Sequence, residues 1–156
     1  MKTEIERKFL LTNDSWRQEA RGTSYRQGYI VRDPGKTVRI RTCNNKAFLT
    51  IKSLGNGISR MEFEYEIPFI DANWLLSNIC EQPVLEKIRY LFDYKGFTWE
   101  IDEFLGDNSG LFLAEIELAT EDQIFPKPRW LGEEVTGIPR YYNASLVKFP
   151  YKDWKN

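Results

Sequence analysis

The sequence predicts an α+β protein, mainly antiparallel β, in which eight strands close into a β tunnel with a few flanking helices. Apolar and polar residues alternate with a period of two along most of the chain, which is typical of half-buried strands. Turn-forming residues separate the alternating segments, and helical patterns are few and short. Hairpin-connected strands of this kind tend to close, because closure removes exposed sheet edges.

The strands are bounded by short turns that are rich in Gly, Asn, Asp and Pro. The clearest of these turns lie at Asp33–Lys36, Asn44–Lys46 and Lys95–Gly96. The eight predicted strands are Thr3–Leu11, Tyr25–Val31, Thr37–Thr42, Ala47–Ser53, Arg60–Pro68, Leu85–Tyr94, Phe97–Phe104 and Leu111–Ala119. Helices are predicted at Asp14–Arg21, Asp71–Glu81 and Arg140–Val147, with a single helical turn at Gly132–Thr136.

The composition is that of one folded domain spanning residues 1–156. The chain weighs 18.5 kDa, and 42% of its residues are hydrophobic. A net charge of −1 gives no sign of a nucleic-acid partner. No apolar run approaches the roughly 20 residues of a membrane span, and the first residues lack the apolar stretch of a secretion signal. With only two cysteines, we expect a cytoplasmic protein without a membrane partner; its oligomeric state stays open.

The chain contains no histidine. This excludes Ser-His-Asp and Cys-His catalysis, zinc sites built on histidine and histidine acid–base chemistry. An enzyme of this composition must therefore use carboxylates, Lys, Arg, Tyr or a metal ion bound by oxygen.

Nearly every predicted strand carries charged residues at positions i and i+2, so that they share one face. The cations of this kind are Lys8, Arg39, Arg41, Lys52, Lys87 and Arg89. The carboxylates are Glu4, Glu6, Glu62, Glu64, Glu100, Asp102, Glu115 and Glu117. Alternation alone fits either a solvated outer face with many salt bridges or the lining of a closed tunnel.

Like-charged neighbours favour the tunnel. Arg39 and Arg41 repel each other, as do Lys87 and Arg89, unless an anion lies between them. Arg and Lys bind phosphate oxygens, and carboxylates bind Mg²⁺ or Mn²⁺. The pattern therefore predicts that the tunnel binds a polyanion and a divalent metal.

Glu4-Ile5-Glu6-Arg7-Lys8 matches the ExExK signature of the CYTH superfamily, the triphosphate tunnel metalloenzymes. Further segments follow in that family's order, namely Arg26–Tyr29, Val38–Arg41, Leu49–Lys52, Glu62–Ile67, Glu86–Tyr90, Trp99–Asp102, Ala114–Leu118, Glu134–Thr136 and Arg140–Leu146. The whole chain resembles the short bacterial members. One local departure is Gly137-Ile138-Pro139, where relatives often carry an acidic residue after the glycine.

The resemblance implies residue roles. Glu4, Glu6 and Glu117 would hold a Mg²⁺ or Mn²⁺ ion. The phosphate chain would be bound by Lys8, Arg39, Arg41, Lys52, Lys87 and Arg89. The predicted catalytic group is Lys8 with the carboxylates Glu62, Glu64, Asp102 and Glu115, which would serve a second metal, its waters or the orientation of the cations. Whether Arg60, Glu66 and Glu100 line the tunnel is left open.

The function predicted from these residues and this resemblance is metal-dependent hydrolysis of a triphosphate anhydride bond. Inorganic tripolyphosphate is the favoured substrate, because the predicted lining offers charge and no slot for a nucleobase. A class IV-type adenylate cyclase, a thiamine triphosphatase and a polyphosphate- or nucleotide-binding module without turnover are the alternatives. A triphosphate-bearing small molecule is the expected partner.

Overall fold

The computed structural model describes residues 1–154, which form nine strands and two α-helices. The strands are β1 Lys2–Leu11, β2 Arg21–Asp33, β3 Lys36–Cys43, β4 Lys46–Ser53, β5 Ser59–Ile67, β6 Leu85–Tyr94, β7 Phe97–Phe104, β8 Phe112–Glu117 and β9 Leu131–Glu134. The helices are α1 Phe69–Asn78 and α2 Asn143–Lys148. Neither helix, nor any other helix within the described range, is long and apolar enough to cross a membrane.

All strand pairings are antiparallel, and eight strands close into a barrel. The order β5-β4-β3-β2-β6-β7-β8-β1 is closed by pairing of β1 with β5. The prediction of an eight-stranded closed antiparallel barrel is confirmed. Its hairpins turn where predicted, and Asn44 and Lys95 adopt positive φ angles of 55° and 48° at two of the turns.

Strand β9 is an addition that the sequence analysis missed. The segment Gly132–Thr136 was predicted as a helical turn, and this is wrong. Strand β5 pairs only with the first half of β1, so the remaining edge of β1 would lack partners; β9 pairs there with Phe9 and Leu11. Next to the β1–β9 pairing, Gly57 lies close to Gly137, and both glycines have positive φ angles.

All three predicted helices differ from the structure in their extent. Asp14–Arg21 forms only a 3-10 turn at Arg17–Glu19, because Arg21 already pairs with Leu91 in the β2–β6 ladder. Helix α1 begins two residues earlier than predicted and ends at Asn78. The predicted helix Arg140–Val147 is divided into a 3-10 turn at Pro139–Tyr141 and the helix α2, Asn143–Lys148.

Apolar residues on the outer face of the barrel form two of the three core clusters. One contains Phe9, Trp99 and Trp130, and the other lies beneath α1 with Ile40 and Leu76. The charged residues alternate with these positions and consequently face the barrel interior.

The third cluster fills one end of the barrel interior. Leu85, Phe104 and Leu113 alternate in step with Lys87, Asp102 and Glu115, so they share the inner face of their strands. They pack against Tyr141 and Leu146 from the C-terminal segment. We call this cluster the apolar plug; the charged cavity lies beside it.

Candidate active site

The barrel encloses a cavity of about 670 Å³ to which every barrel strand contributes side chains. Among the predicted site residues, the cavity is lined by Glu4, Glu6, Lys8, Arg39, Arg41, Lys52, Glu62, Glu64, Lys87, Arg89, Glu115 and Glu117. Asp102 does not line it but lies directly behind two of its cations. The structure thus brings the predicted residues together around one space.

Asp102 pairs with two cavity cations in a buried group. Its carboxylate accepts a hydrogen bond of 2.8 Å from Lys87 Nζ and bonds of 2.8 and 2.9 Å from Arg89 Nε and NH2. Burial raises the pKa of Asp102, but Arg89 and Lys87 outweigh it, and the net shift is downward. Burial lowers the pKa of Lys87 to about 7, against the attraction of Asp102. The contact with Asp102 favours the charged form of the lysine, which is the form that donates in this group.

Arg39 and Arg41 form a second cationic group on β3. Arg39 NH2 donates to Thr50 Oγ1 at 3.3 Å, and Thr50 donates in turn to Glu64 at 2.9 Å. Burial lowers the pKa of Arg41, and the charges of Arg39 and Arg89 lower it further. The Nε atoms of both arginines are buried without a partner in the part of the chain that the structure describes. This group has an excess of positive charge and of hydrogen-bond donors.

An acidic group lies on β1, β5 and β8. It consists of Glu4, Glu6, Glu62, Glu115 and Glu117. Glu6 is the register partner of Glu117, and Glu115 is the register partner of Lys8. Burial raises the pKa of Glu6 well above its usual range, and the neighbouring carboxylates of Glu115 and Glu4 raise it further. No cation of residues 1–154 lies within salt-bridge distance of Glu6. In the absence of a cation, the carboxyl group of Glu6 therefore favours its neutral form.

Two lysine side chains form ion pairs with other carboxylates of this group. Glu4 accepts from Lys52 Nζ at 2.9 Å, and Lys52 also lies 3.6 Å from Glu62. Lys2 Nζ lies 2.9 Å from Glu117 and 3.5 Å from Glu62. Within residues 1–154, no three acidic side chains are already gathered as a metal-binding group.

The chemistry of these donors nevertheless fits a hard divalent cation. Mg²⁺ and Mn²⁺ prefer carboxylate oxygens, and soft ligands are absent from the lining that the structure describes. A cation beside Glu6 would offset both the burial of its charge and the repulsion from neighbouring carboxylates, which together raise its pKa. Glu4, Glu6 and Glu117 are therefore chemically suited to hold such an ion, with Lys52 and Lys2 giving up their present partners.

The sequence left open whether three further charged residues line the tunnel, and the structure places two of them in the cavity and one outside it. Arg60 lines the cavity and donates to Glu4 at 3.2 Å. Glu100 lines it and accepts from Arg89 NH1 at 2.9 Å. Glu66 is exposed and lies outside the cavity.

Arg32 and Asn143 are two of the polar lining residues that sequence reasoning missed. Arg32 reaches the cavity because a register shift between Tyr29 and Val31 adds one residue to β2 and reverses the alternation after it. Asn143 reaches it from α2, where no strand period applies. The alternation of β2 gave no indication that Arg32 faces inward, whereas Asn143 lies in a segment that carries the family resemblance.

The fold and the site together define a class of protein, a closed antiparallel barrel around a cavity lined by cations and carboxylates. The chain belongs to the CYTH family, because the model of the CYTH domain matches residues 2–148. The resemblance inferred from the sequence is confirmed.

Named relatives agree with this assignment. The chain is 56% identical over 155 residues to a protein of Acetivibrio thermocellus named inorganic triphosphatase, covering 99% of each chain. It is 38% identical to an inorganic triphosphatase of Nitrosomonas europaea, over 93% of this chain and 97% of that protein. A solved inorganic triphosphatase structure matches with a TM-score of 0.66 and 36% identity, covering 94% of this chain and 95% of the other.

Proposed function

We propose that this protein is a metal-dependent triphosphatase that hydrolyses inorganic tripolyphosphate to pyrophosphate and phosphate. One observation carries the proposal, namely that buried cations and carboxylates from all sides of a closed barrel face a single cavity. The two relatives named inorganic triphosphatase support the same reaction.

The cations bind the substrate. The arginines of β3 and β6 offer planar forks that match phosphate oxygens, and the lysines add point charges. Several of the cations are held by a partner, such as Asp102 for Arg89 and Thr50 for Arg39. The donors are therefore oriented before the substrate enters, which lowers the cost of binding an extended phosphate chain.

The metal belongs to the acidic group. Glu4, Glu6 and Glu117 would hold Mg²⁺ or Mn²⁺, which when bound neutralises phosphate oxygens and so lowers the barrier to attack. Glu62 and Glu64 hold the neighbouring lysine and arginine side chains in place.

Hydrolysis requires a water molecule in line with the terminal phosphorus. The remaining carboxylates of the cavity can orient that water and accept its proton. The absence of histidine excludes a phosphohistidine intermediate, and direct attack by water needs no covalent intermediate.

Substrate choice follows from the lining. Charged residues surround the interior, whereas apolar side chains such as Leu54 and Ile58 come from the loop between β4 and β5. A nucleobase would need an apolar slot with hydrogen-bond partners. We therefore expect a higher kcat/KM for tripolyphosphate than for ATP.

The test is incubation with Mg²⁺ or Mn²⁺ and either tripolyphosphate, ATP or thiamine triphosphate, followed by quantification of phosphate, pyrophosphate and cyclic AMP. Equal amounts of phosphate and pyrophosphate from tripolyphosphate support the proposal. Cyclic AMP in stoichiometry with pyrophosphate would instead identify a cyclase, and preference for thiamine triphosphate would identify a thiamine triphosphatase.

Tripolyphosphate is also expected to stabilise the fold. A ligand that binds only the folded state adds about 2.7 kcal/mol at a hundredfold excess over its Kd. Differential scanning fluorimetry in EDTA should show a rise in Tm, and Arg41→Ala should reduce that rise. Lys36→Ala, on the exposed β2–β3 turn, is the control that should keep it. A melting curve that is indifferent to saturating tripolyphosphate would contradict binding in the cavity.

A further inference from the structure

Helix α2 lies at the boundary between the apolar plug and the charged cavity. Leu146 packs in the plug, whereas Asn143, the first residue of the helix, lines the cavity. An asparagine at this boundary contacts the cavity cation Lys87 without adding a charge.

Two buried donors fix the orientation of the Asn143 amide. Lys87 Nζ donates to Asn143 Oδ1 at 2.7 Å, and Gln27 Nε2 donates to the same oxygen at 3.1 Å. An ammonium group has hydrogens and no acceptor, so the atom it contacts must be the oxygen. Nδ2 is therefore the other atom of the amide.

Nδ2 is available to a ligand. It has no hydrogen-bond partner within residues 1–154, and it is not among the buried polar atoms that lack one. Because Asn143 lines the cavity, the accessible amide N–H groups can reach an anion bound there. A neutral donor at this point adds a hydrogen bond without increasing the repulsion between Lys87 and Arg89.

We propose that Asn143 is a substrate-binding residue, whose Nδ2 donates to an oxygen of the phosphate chain held by Lys87 while its Oδ1 fixes the Lys87 ammonium. This inference rests on the proposed function, since the phosphate chain is the substrate named there. It also gives α2 a role in binding beyond covering one end of the barrel.

Two substitutions separate contact with the substrate from positioning of Lys87 alone. Asn143→Ala removes both the oxygen and the amide. Asn143→Asp keeps an oxygen for Lys87 but presents a negative oxygen to the phosphate in place of the donor. Lys148→Ala, at the exposed end of the same helix, is the control.

The measurement is the Kd of tripolyphosphate in EDTA by isothermal titration calorimetry, with Tm recorded for each variant. We expect Asn143→Ala to weaken binding about tenfold, the loss of one hydrogen bond to a charged group. Asn143→Asp should bind at least about tenfold more weakly than Asn143→Ala, because an anion then faces the phosphate. Lys148→Ala should bind like the unchanged protein.

The order of the two variants decides the inference. If Asn143→Asp binds as well as or better than Asn143→Ala, the residue only positions Lys87 and the proposed contact is wrong. If Asn143→Ala does not fold, Asn143→Asp, which keeps the Lys87 contact, is compared with the unchanged protein, and equal affinity would refute the contact. If the unchanged protein neither binds nor hydrolyses tripolyphosphate, the proposed function fails first and the inference with it.

Discussion

Replacing Asp102 by alanine is expected to lower the free energy of unfolding by about 3–5 kcal/mol, the usual cost of removing one partner from a buried ion pair. Lys87 and Arg89 would lose their shared carboxylate while only 2% and 8% exposed. Their charges would then repel each other with only the partly exposed Glu100 left to pair with Arg89, and the phosphate-binding geometry would be lost as well. Urea unfolding followed by tryptophan fluorescence measures the change.

The same strand provides a matched control for Asp102→Ala. Glu103 is the next residue, but it faces outward and contacts Arg17 and Tyr90. Because this pair is solvent-exposed, Glu103→Ala should cost about 1 kcal/mol or less. Similar losses for the two variants would contradict the assignment of Asp102 to a buried, charged barrel interior.

Glu6→Gln is expected to weaken metal binding by at least about 100-fold, since even residues that only support metal ligands commonly contribute about 10–100-fold. The metal-free variant should be at least as stable as the unchanged protein, because a neutral amide avoids both the burial of a charge and the repulsion from Glu115 and Glu4, which together raise the pKa of Glu6. Mn²⁺ binding followed by electron paramagnetic resonance, together with Tm, separates the two effects.

Glu66→Gln is the control for Glu6→Gln, since Glu66 is exposed and lies outside the cavity. It should leave the affinity for Mn²⁺ and the rate of tripolyphosphate hydrolysis unchanged. Unaltered Mn²⁺ affinity in Glu6→Gln would show that the metal is bound elsewhere.

The barrel and most of its lining could be predicted because a period of two determines both. Once one residue of a strand faces inward, its neighbours at i±2 do so as well. This rule alone predicts that Arg39 and Arg41 share the inner face, and that Glu4 and Glu6 do so too. The absence of histidine further limited the chemistry to carboxylates and cations.

Features that break the period could not be predicted in this way. The register shift in β2 turns Arg32 inward, against the alternation. The apolar plug uses inward positions such as Phe104 and Leu113, which an alternating pattern alone assigns to the same lining as the charged residues. Strand β9 forms because β5 leaves part of the β1 edge open, and this depends on the assembled barrel rather than on the segment itself.

Ion pairing within the acidic group could not be predicted from the sequence either. Lys2 bridges Glu62 and Glu117, and Lys52 bridges Glu4 and Glu62. These contacts depend on which strands become neighbours and on side-chain reach. They also explain why carboxylates suited to a metal are not gathered around one point within the described residues.

We propose that the protein hydrolyses tripolyphosphate in its charged cavity with the help of a divalent metal. The most direct measurement is phosphate release from tripolyphosphate by the purified protein, with Mg²⁺ or Mn²⁺ and again in excess EDTA. We predict release of phosphate and pyrophosphate in equal amounts with metal, and its loss in EDTA with recovery when metal is restored. Full activity in excess chelator, or no hydrolysis under any of these conditions, would contradict the claim.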